Sequence, residues 1–158
     1  MRQIAVLLFI LLLASICVAH DKDIIRDTIV RIAKEKQFDP ALAVSIAIVE
    51  SGLNPRLIGQ LGEVGVFQLR TEYHNVQAGN IEGNIRTAID FLKELQKTCP
   101  HRSGLDWTIC YNLGMAGANK IKHPKLFPYY IKVTSIYMFV LFEMRQKNRN
   151  ISSFEYKL

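Results

Sequence analysis

The chain has 158 residues, a length that suits one compact domain, and its net charge of +6 at pH 7 suits an anionic surface such as a cell envelope. The sequence lacks the dense basic and aromatic patch that binds nucleic acid, so we expect no nucleic-acid partner. The four histidines are scattered without metal-ligand spacing, and we expect neither a metal site nor a cofactor.

Residues 1–19 have the order of a secretory signal peptide. A basic start at Arg2 precedes the apolar stretch "IAVLLFILLL" and the small-residue site "ASICVAH". We predict cleavage after Ala19 and an exported protein without a stable membrane span, in the periplasm, with the cell wall or the cell exterior as alternatives. An uncleaved anchor is disfavoured, because the apolar segment has sixteen residues and a span needs about 20. A lipoprotein modified at Cys17 is disfavoured by the bulky residue before it.

Two helices are predicted before residue 52. The first, "DKDIIRDTIVRIAKEKQF", begins near Asp21 or Asp23 and places apolar residues on one face: Ile24, Ile25, Ile29, Ile32 and Ala33. Asp39 and Pro40 read as the N-cap and first position of the second helix. Its apolar run continues to Glu50, and Gly52 is a natural C-terminal stop.

The rest of the chain is also mainly helical. "EVGVFQL" is the only plausible extended segment, and "GLDWTICYNLG" predicts a short helix. After Pro124 and Pro128 we expect a long, largely buried helix whose apolar stripe is core. The intervening helix, "IEGNIRTAIDFLKELQK", has a single apolar stripe: Ile85, Ala88, Ile89, Leu92 and Leu95. The organisation is therefore a signal peptide at 1–19, one mainly α domain at 20–148 and a polar tail at 149–158.

Glu50 ends the most hydrophobic internal segment of the chain. Desolvation beside a core and the negative end of the helix dipole both disfavour a carboxylate, so they raise the pKa of this side chain. A carboxylic acid that donates a proton near neutral pH requires such a raised pKa. The alternative is an ordinary boundary glutamate that reaches solvent.

Several ordered motifs resemble the soluble lytic transglycosylase domain, a family related in fold to goose-type lysozyme. "VESGLNP" is similar to the segment with its catalytic glutamate, "GEVGVFQL" to its Gly-Leu-Met-Gln-Leu motif, and "CYNLG" to its Ala-Tyr-Asn-x-Gly motif. "NIRTAIDFLKEL" and "YYIKV" resemble two further helical segments, so the resemblance covers about Asp23 to Phe142. Departures occur at Val66, Phe67 and Cys110, which keep apolar character, and the proline often found after the glutamine motif is absent.

The resemblance implies a single lysozyme-like α-helical domain with at most a very short β element. It also implies cleavage of the MurNAc-β-1,4-GlcNAc bond of peptidoglycan glycan strands by Glu50, first as acid and then as base, with a 1,6-anhydro product. A hydrolytic lysozyme on the same fold and a non-catalytic wall-binding or assembly module are the alternatives. Components of a secretion or conjugation apparatus are further partners suggested by analogy.

Substrate-binding roles are expected at the positions that match the motifs: Ser51, Gln68, Tyr111, Asn112 and Tyr129. Ser51 could instead satisfy the helix terminus, whereas Gln68 is a polar amide in an apolar stretch that a sugar could satisfy. Tyr111 and Asn112 have the alternatives of a core aromatic and a helix-end amide. Counting back from "KV" favours Tyr129, with Tyr130 as the competitor.

The sequence leaves three further questions open: the role of two large aromatic residues, the presence of a second acid, and the pairing of two cysteines. Phe67 and Trp107 are interpreted as core or cleft wall rather than sugar platforms. Glu63 is the most credible second acid, ahead of the others that the sequence offers (Glu72, Glu82 and Asp106), and is interpreted as a solvated loop residue. In an oxidising compartment Cys99 and Cys110 could form a disulfide, which spacing alone does not decide.

Overall fold

A computed structural model describes residues 21–77, 79–101 and 103–155. The predicted signal peptide, its cleavage after Ala19 and the alternative at Cys17 lie outside these residues. The described chain contains five α-helices and one short antiparallel β-hairpin: α1 (21–35), α2 (Pro40–Ser51), β1 (Glu63–Val64), β2 (Leu69–Arg70), α3 (Ile81–Thr98), α4 (Ile109–Ala118) and α5 (Pro128–Glu155). The prediction of a mainly α, lysozyme-like domain with a very short β element is confirmed.

Helix α2 runs through the middle of the core, as its composition predicts. The Asp39 side chain caps it by accepting hydrogen bonds from the backbone N–H groups of Ala41 and Leu42, at 2.9 and 3.2 Å. Residues 41–47 are all buried, and Gly52 ends the helix in the left-handed conformation. The Tyr137 hydroxyl of α5 donates to the Asp39 carboxylate at 2.6 Å, so the capping residue also joins α2 to α5.

The predicted stripes of α1 and α3 face this core, with one exception. All five α3 stripe residues are buried, and so are Ile25, Ile29, Ile32 and Ala33 of α1. Ile24 was predicted on the same face but is 52% exposed. Consecutive helical residues point about 100° apart, and Ile25 occupies the inward position, so Ile24 is turned toward solvent.

The prediction that α5 is largely buried is wrong. Tyr129, Val133 and Val140 are buried, whereas a second set of large apolar side chains on the opposite side is exposed: Ile131, Met138, Phe139 and Phe142. The apolar side chains of α5 are spread around all sides of the helix, but α2 packs against one side only. The hydrophobicity of the sequence therefore overstated the burial of α5. The helix continues through Glu155, past the expected start of the tail at 149, and residues 156–158 lie outside the described chain.

A disulfide links the end of α3 to the start of α4. Cys99, which follows α3, and Cys110, in the first turn of α4, form this bond across 11 positions of sequence. Both cysteines are buried. Within the described ranges, no helix is both long and apolar enough to cross a membrane.

Candidate active site

Glu50 lies in the last turn of α2 and faces a recess of about 280 Å³. The recess combines residues from α2, α4 and the start of α5: Val49, Glu50, Asn112, Phe127, Pro128, Tyr129 and Lys132. Burial raises the pKa of Glu50 from its ordinary value of 4.5 to about 7, and the nearby negative charge of Glu63 acts in the same direction. A substantial fraction of Glu50 is therefore protonated at neutral pH, in the direction that the apolar run predicted.

Tyr129 is the tyrosine that contacts this carboxyl. Its hydroxyl donates a hydrogen bond to Glu50 Oε1 at 2.5 Å, which opposes the rise in the Glu50 pKa because it stabilises the carboxylate. Burial raises the pKa of the Tyr129 phenol well above 10, so the group is a neutral donor. Pro128 begins α5 and thereby directs its first turn toward the end of α2. Tyr130, the competing candidate, is half-buried and packs on the core.

Gln68 is bonded within its own loop. Its side-chain amide donates to the carbonyl oxygens of Leu57 at 3.0 Å and Gly65 at 2.9 Å. The loop itself therefore satisfies the polar amide whose partner we expected to be a sugar. Gln68 is not among the residues that line the recess of Glu50, and its binding of substrate stays a prediction.

Ser51 and Tyr111 hold the loop between β1 and β2 against the end of α2. Ser51 Oγ donates to the Val66 carbonyl at 2.7 Å, and the Tyr111 hydroxyl donates to the next carbonyl, that of Phe67, at 2.5 Å. Ser51 Oγ also accepts from the backbone N–H of Asn54, in the turn after α2, at 3.1 Å. These bonds give both residues a positioning role, and their contact with substrate stays a prediction.

The other motif residues divide between the recess and the core. Asn112 is exposed and lines the recess beside Glu50. Phe67 and Trp107 are fully buried, which agrees with their interpretation as core rather than as sugar platforms. The structure thus brings Glu50, Asn112 and Tyr129 together at one recess. Burial raises the pKa of Tyr111 well above 10, and the charge of nearby Glu50 acts in the same direction.

Asn84 is a positioning residue that the sequence reasoning missed. This buried side chain of α3 donates through Nδ2 to the Val64 carbonyl at 2.9 Å and accepts through Oδ1 from the Phe67 N–H at 3.0 Å. Gly65 lies between Val64 and Phe67 in the sequence and has φ +79°. A Cβ at this position would come within 2.8 Å of Asn84 Nδ2. The sequence did contain a signal for this role. Asn84 lies one helical turn before Ala88 and therefore on the buried face of α3, where an amide needs hydrogen-bond partners.

Glu63 differs from its interpretation as a solvated loop residue. It is half-buried in β1, its Oε2 accepts from the Leu61 N–H at 2.9 Å, and its charge reaches Glu50. The other acids considered have other surroundings: Glu72 pairs with Arg70, Glu82 is exposed, and Asp106 is buried in a short 3-10 turn before α4. Among the residues described, no cluster of His, Cys, Asp and Glu side chains could hold a metal ion.

The fold and the recess define a lysozyme-like helical protein with one raised-pKa carboxylic acid at a cleft. Residues 27–125, more than half of the chain, match the family model described as Transglycosylase SLT domain, and the chain belongs to this family. A comparison with curated proteins gave no match. Membership indicates a transglycosylase-type enzyme that acts on peptidoglycan. The matched residues include Glu50 and Asn112, whereas Tyr129 lies beyond them.

Proposed function

We propose that this protein is a peptidoglycan lytic transglycosylase that cleaves the MurNAc-β-1,4-GlcNAc bond and leaves a 1,6-anhydro-MurNAc end. The observation that carries the proposal is the Glu50 carboxyl, which has a pKa of about 7 and lies at a recess open to a ligand. A group with this pKa is present in both protonation states near neutral pH. It can therefore serve as an acid in one step and as a base in the next.

Glu50 first donates its proton to the glycosidic oxygen, and the bond between that oxygen and the anomeric carbon of MurNAc breaks. The resulting carboxylate then takes the proton of the MurNAc C6 hydroxyl, whose oxygen bonds to the same anomeric carbon. Glu50 ends protonated, no water is consumed, and no second carboxylate is needed to activate one, unlike most glycoside hydrolases. Tyr129, hydrogen-bonded to Glu50, fixes the orientation of the carboxyl between the two steps.

A hydrolytic lysozyme on the same scaffold is the second candidate, and Glu63 is the observation that favours it. A second carboxylate whose charge reaches Glu50 could orient a water molecule against the anomeric carbon. The product would then be a reducing MurNAc end that contains oxygen from water. The two candidates therefore predict chemically different products from one substrate.

Digestion of purified peptidoglycan in heavy-oxygen water, followed by mass analysis, tests the proposal. The wild type should release anhydro-muropeptides, each one water lighter than the reducing form and free of the label. Glu50→Gln should lower the rate by about 10²–10⁴-fold, the usual contribution of a general acid. Glu72→Gln, a matched change at an exposed glutamate paired with Arg70, should act as the wild type does.

Labelled reducing ends would replace the transglycosylase assignment with the hydrolytic one. No release by the wild type, with biological activity kept in Glu50→Gln, would identify a non-catalytic wall-binding or assembly module. For biological role, we propose local opening or remodelling of the wall by an exported, periplasmic enzyme. Components of a secretion or conjugation apparatus are its proposed partners.

A further inference from the structure

The exposed side of α5 carries an apolar stripe made of Ile131, Met138, Phe139 and Phe142, with exposed Ser135 between the first two. These side chains are between 48% and 65% exposed, although each is large and apolar. Their spacings of seven, eight and eleven residues from Ile131 place them on one side of a helix, over about 16 Å of its length. Such a row of large apolar groups in water is unfavourable and marks a contact surface.

Within α5, the charges that flank this apolar stripe are positive. Lys132 stands seven residues before Phe139 and Arg145 seven residues after Met138, so a cation lies at each end, and both are exposed. Glu143 is the single acidic residue between positions 128 and 149, and it forms an ion pair with Arg26 of α1 at 2.7 Å. The occupant of the stripe is therefore expected to be apolar in the middle and anionic at its edges.

We propose that the apolar stripe binds the surface of an anionic lipid bilayer, with α5 lying in the plane of the headgroups. Two phenyl rings, a methionine and an isoleucine would enter the acyl boundary, while Lys132 and Arg145 contact lipid phosphates. The stripe stands on one convex helix, a shape that suits a bilayer because lipid needs no complementary groove.

A second copy of the chain fits this surface less well. Antiparallel pairing of two α5 helices about the centre of the stripe would place Arg145 level with Pro128 of the other copy, about one turn from its Lys132. Parallel pairing would bring the two Arg145 side chains together. Neither arrangement supplies a carboxylate of α5 to these cations, because Glu143, the single acidic residue of this stretch, is already paired with Arg26.

Lipid contact through the stripe leaves the recess of Glu50 open. Tyr129 precedes Met138 by nine residues, about two and a half turns, so it points to the opposite side of α5. Lys132, which also borders the recess, lies between the two sides. Docking would hold the enzyme beside a membrane with its cleft turned away from the lipid. The proposal does not depend on the function proposed above, and Glu50→Gln is expected to bind vesicles as the wild type does.

Tryptophan fluorescence locates the helix relative to lipid. Phe142→Trp is compared with Leu61→Trp, a matched change at a side chain that is 67% exposed outside the stripe, and buried Trp107 gives both the same background. The mature form expected after cleavage at Ala19 is used, so that the apolar segment 1–19 does not itself insert into lipid.

Each variant is mixed with vesicles of phosphatidylglycerol and phosphatidylcholine whose acyl chains are brominated. We expect quenching at position 142 that weakens with added salt and is absent with phosphatidylcholine alone, and no quenching at position 61. An unquenched tryptophan at position 142 would overturn the proposal.

A paired substitution, Phe139→Ser with Phe142→Ser, measures the contribution of the rings. Because both are exposed, the fold should stay intact by circular dichroism, and vesicle binding should fall by about tenfold or more per ring. Vesicle binding that the pair leaves unchanged would overturn the proposal. The proposal would also be overturned if the wild type sediments as a dimer and the paired substitution converts it to a monomer, because a second copy would then occupy the stripe.

Discussion

At the residue scale, the proposed chemistry depends on how the surroundings set the pKa of Glu50. Burial at the end of α2 raises its pKa, the charge of Glu63 raises it further, and the hydrogen bond from Tyr129 lowers it. The balance leaves the pKa at about 7, where the acid and base forms are both populated. Each of the two neighbours can be removed separately, so the balance is open to experiment.

Glu63→Gln and Tyr129→Phe are expected to move the Glu50 pKa in opposite directions. The first removes a like charge and lowers the pKa, whereas the second removes a donor that stabilises the carboxylate and raises it. In the proposed mechanism, activity should fall at alkaline pH as Glu50 loses the proton that it donates. This fall should move to lower pH in Glu63→Gln and to higher pH in Tyr129→Phe. Shifts in the same direction would contradict this description of the site.

Sequence alone predicted some of these residue contacts and not others. The rise in the Glu50 pKa followed from its place after an apolar run, because burial is a local consequence of that run. The motif favoured Tyr129 over Tyr130, whereas the hydrogen bond from Tyr129 to Glu50 depends on the packing of α5 on α2, which the sequence does not display. The bonds of Asn84 join positions 17 and 20 residues apart, and periodicity carries no information on such pairs.

At the element scale, the loop between β1 and β2 owes its position to bonds from three helices. Ser51 of α2, Asn84 of α3 and Tyr111 of α4 bind the carbonyls of Val66, Val64 and Phe67. None of these bonds lies within the hairpin itself. The loop is therefore held by the helical scaffold, and a change in one helix is transmitted to the site.

Asn84→Ala should destabilise the protein and lower its activity. It removes two buried hydrogen bonds, to the Val64 carbonyl and from the Phe67 N–H, at a cost of about 2–4 kcal/mol in the free energy of unfolding. Asn80→Ala is the matched control, because Asn80 caps α3 and its loss costs about 1 kcal/mol. Urea unfolding and kcat/KM are measured for both. Equal activity of the two variants would contradict the positioning role of Asn84.

The disulfide between Cys99 and Cys110 should contribute about 3 kcal/mol to the free energy of unfolding, the usual value for a short closed loop. It joins the end of α3 to α4 directly before Tyr111. Replacement of both cysteines by alanine should lower the urea midpoint, and reductant should do so in the wild type but not in the variant. A wild-type midpoint that is insensitive to reductant would contradict this estimate.

Helix bounds were predicted better than helix burial. Asp39, Pro40 and Gly52 fix the ends of α2 through local capping chemistry, which a sequence displays directly. The exposure of α5 depends on what packs against it, and an apolar helix can serve as core or as a contact surface. Its sequence could not distinguish the two.

At the scale of the whole molecule, the raised pKa of Glu50 makes stability depend on pH. The folded state keeps the proton between the ordinary pKa of 4.5 and the folded value of about 7, so stability is lost as pH rises through this window. The total loss is about 3 kcal/mol. Glu50→Gln has no such loss, and it should therefore gain stability relative to the wild type on going from pH 5 to pH 8.

Urea unfolding at pH 5 and pH 8 measures this difference. Glu72→Gln serves as the control, because that side chain is exposed and should show the pH dependence of the wild type. A gap between Glu50→Gln and the wild type that is the same at both pH values would show that Glu50 is ionised normally in the folded protein.

The most direct test of the central claim is a carbon-13 NMR titration of the Glu50 side-chain carboxyl in the free protein. The Glu50→Gln spectrum assigns the resonance. We predict a midpoint near pH 7, as expected for a buried acid beside Glu63 and Tyr129. A midpoint near the ordinary value of 4.5 would contradict the account, because the protein would then lack a proton to give to the glycosidic oxygen at neutral pH.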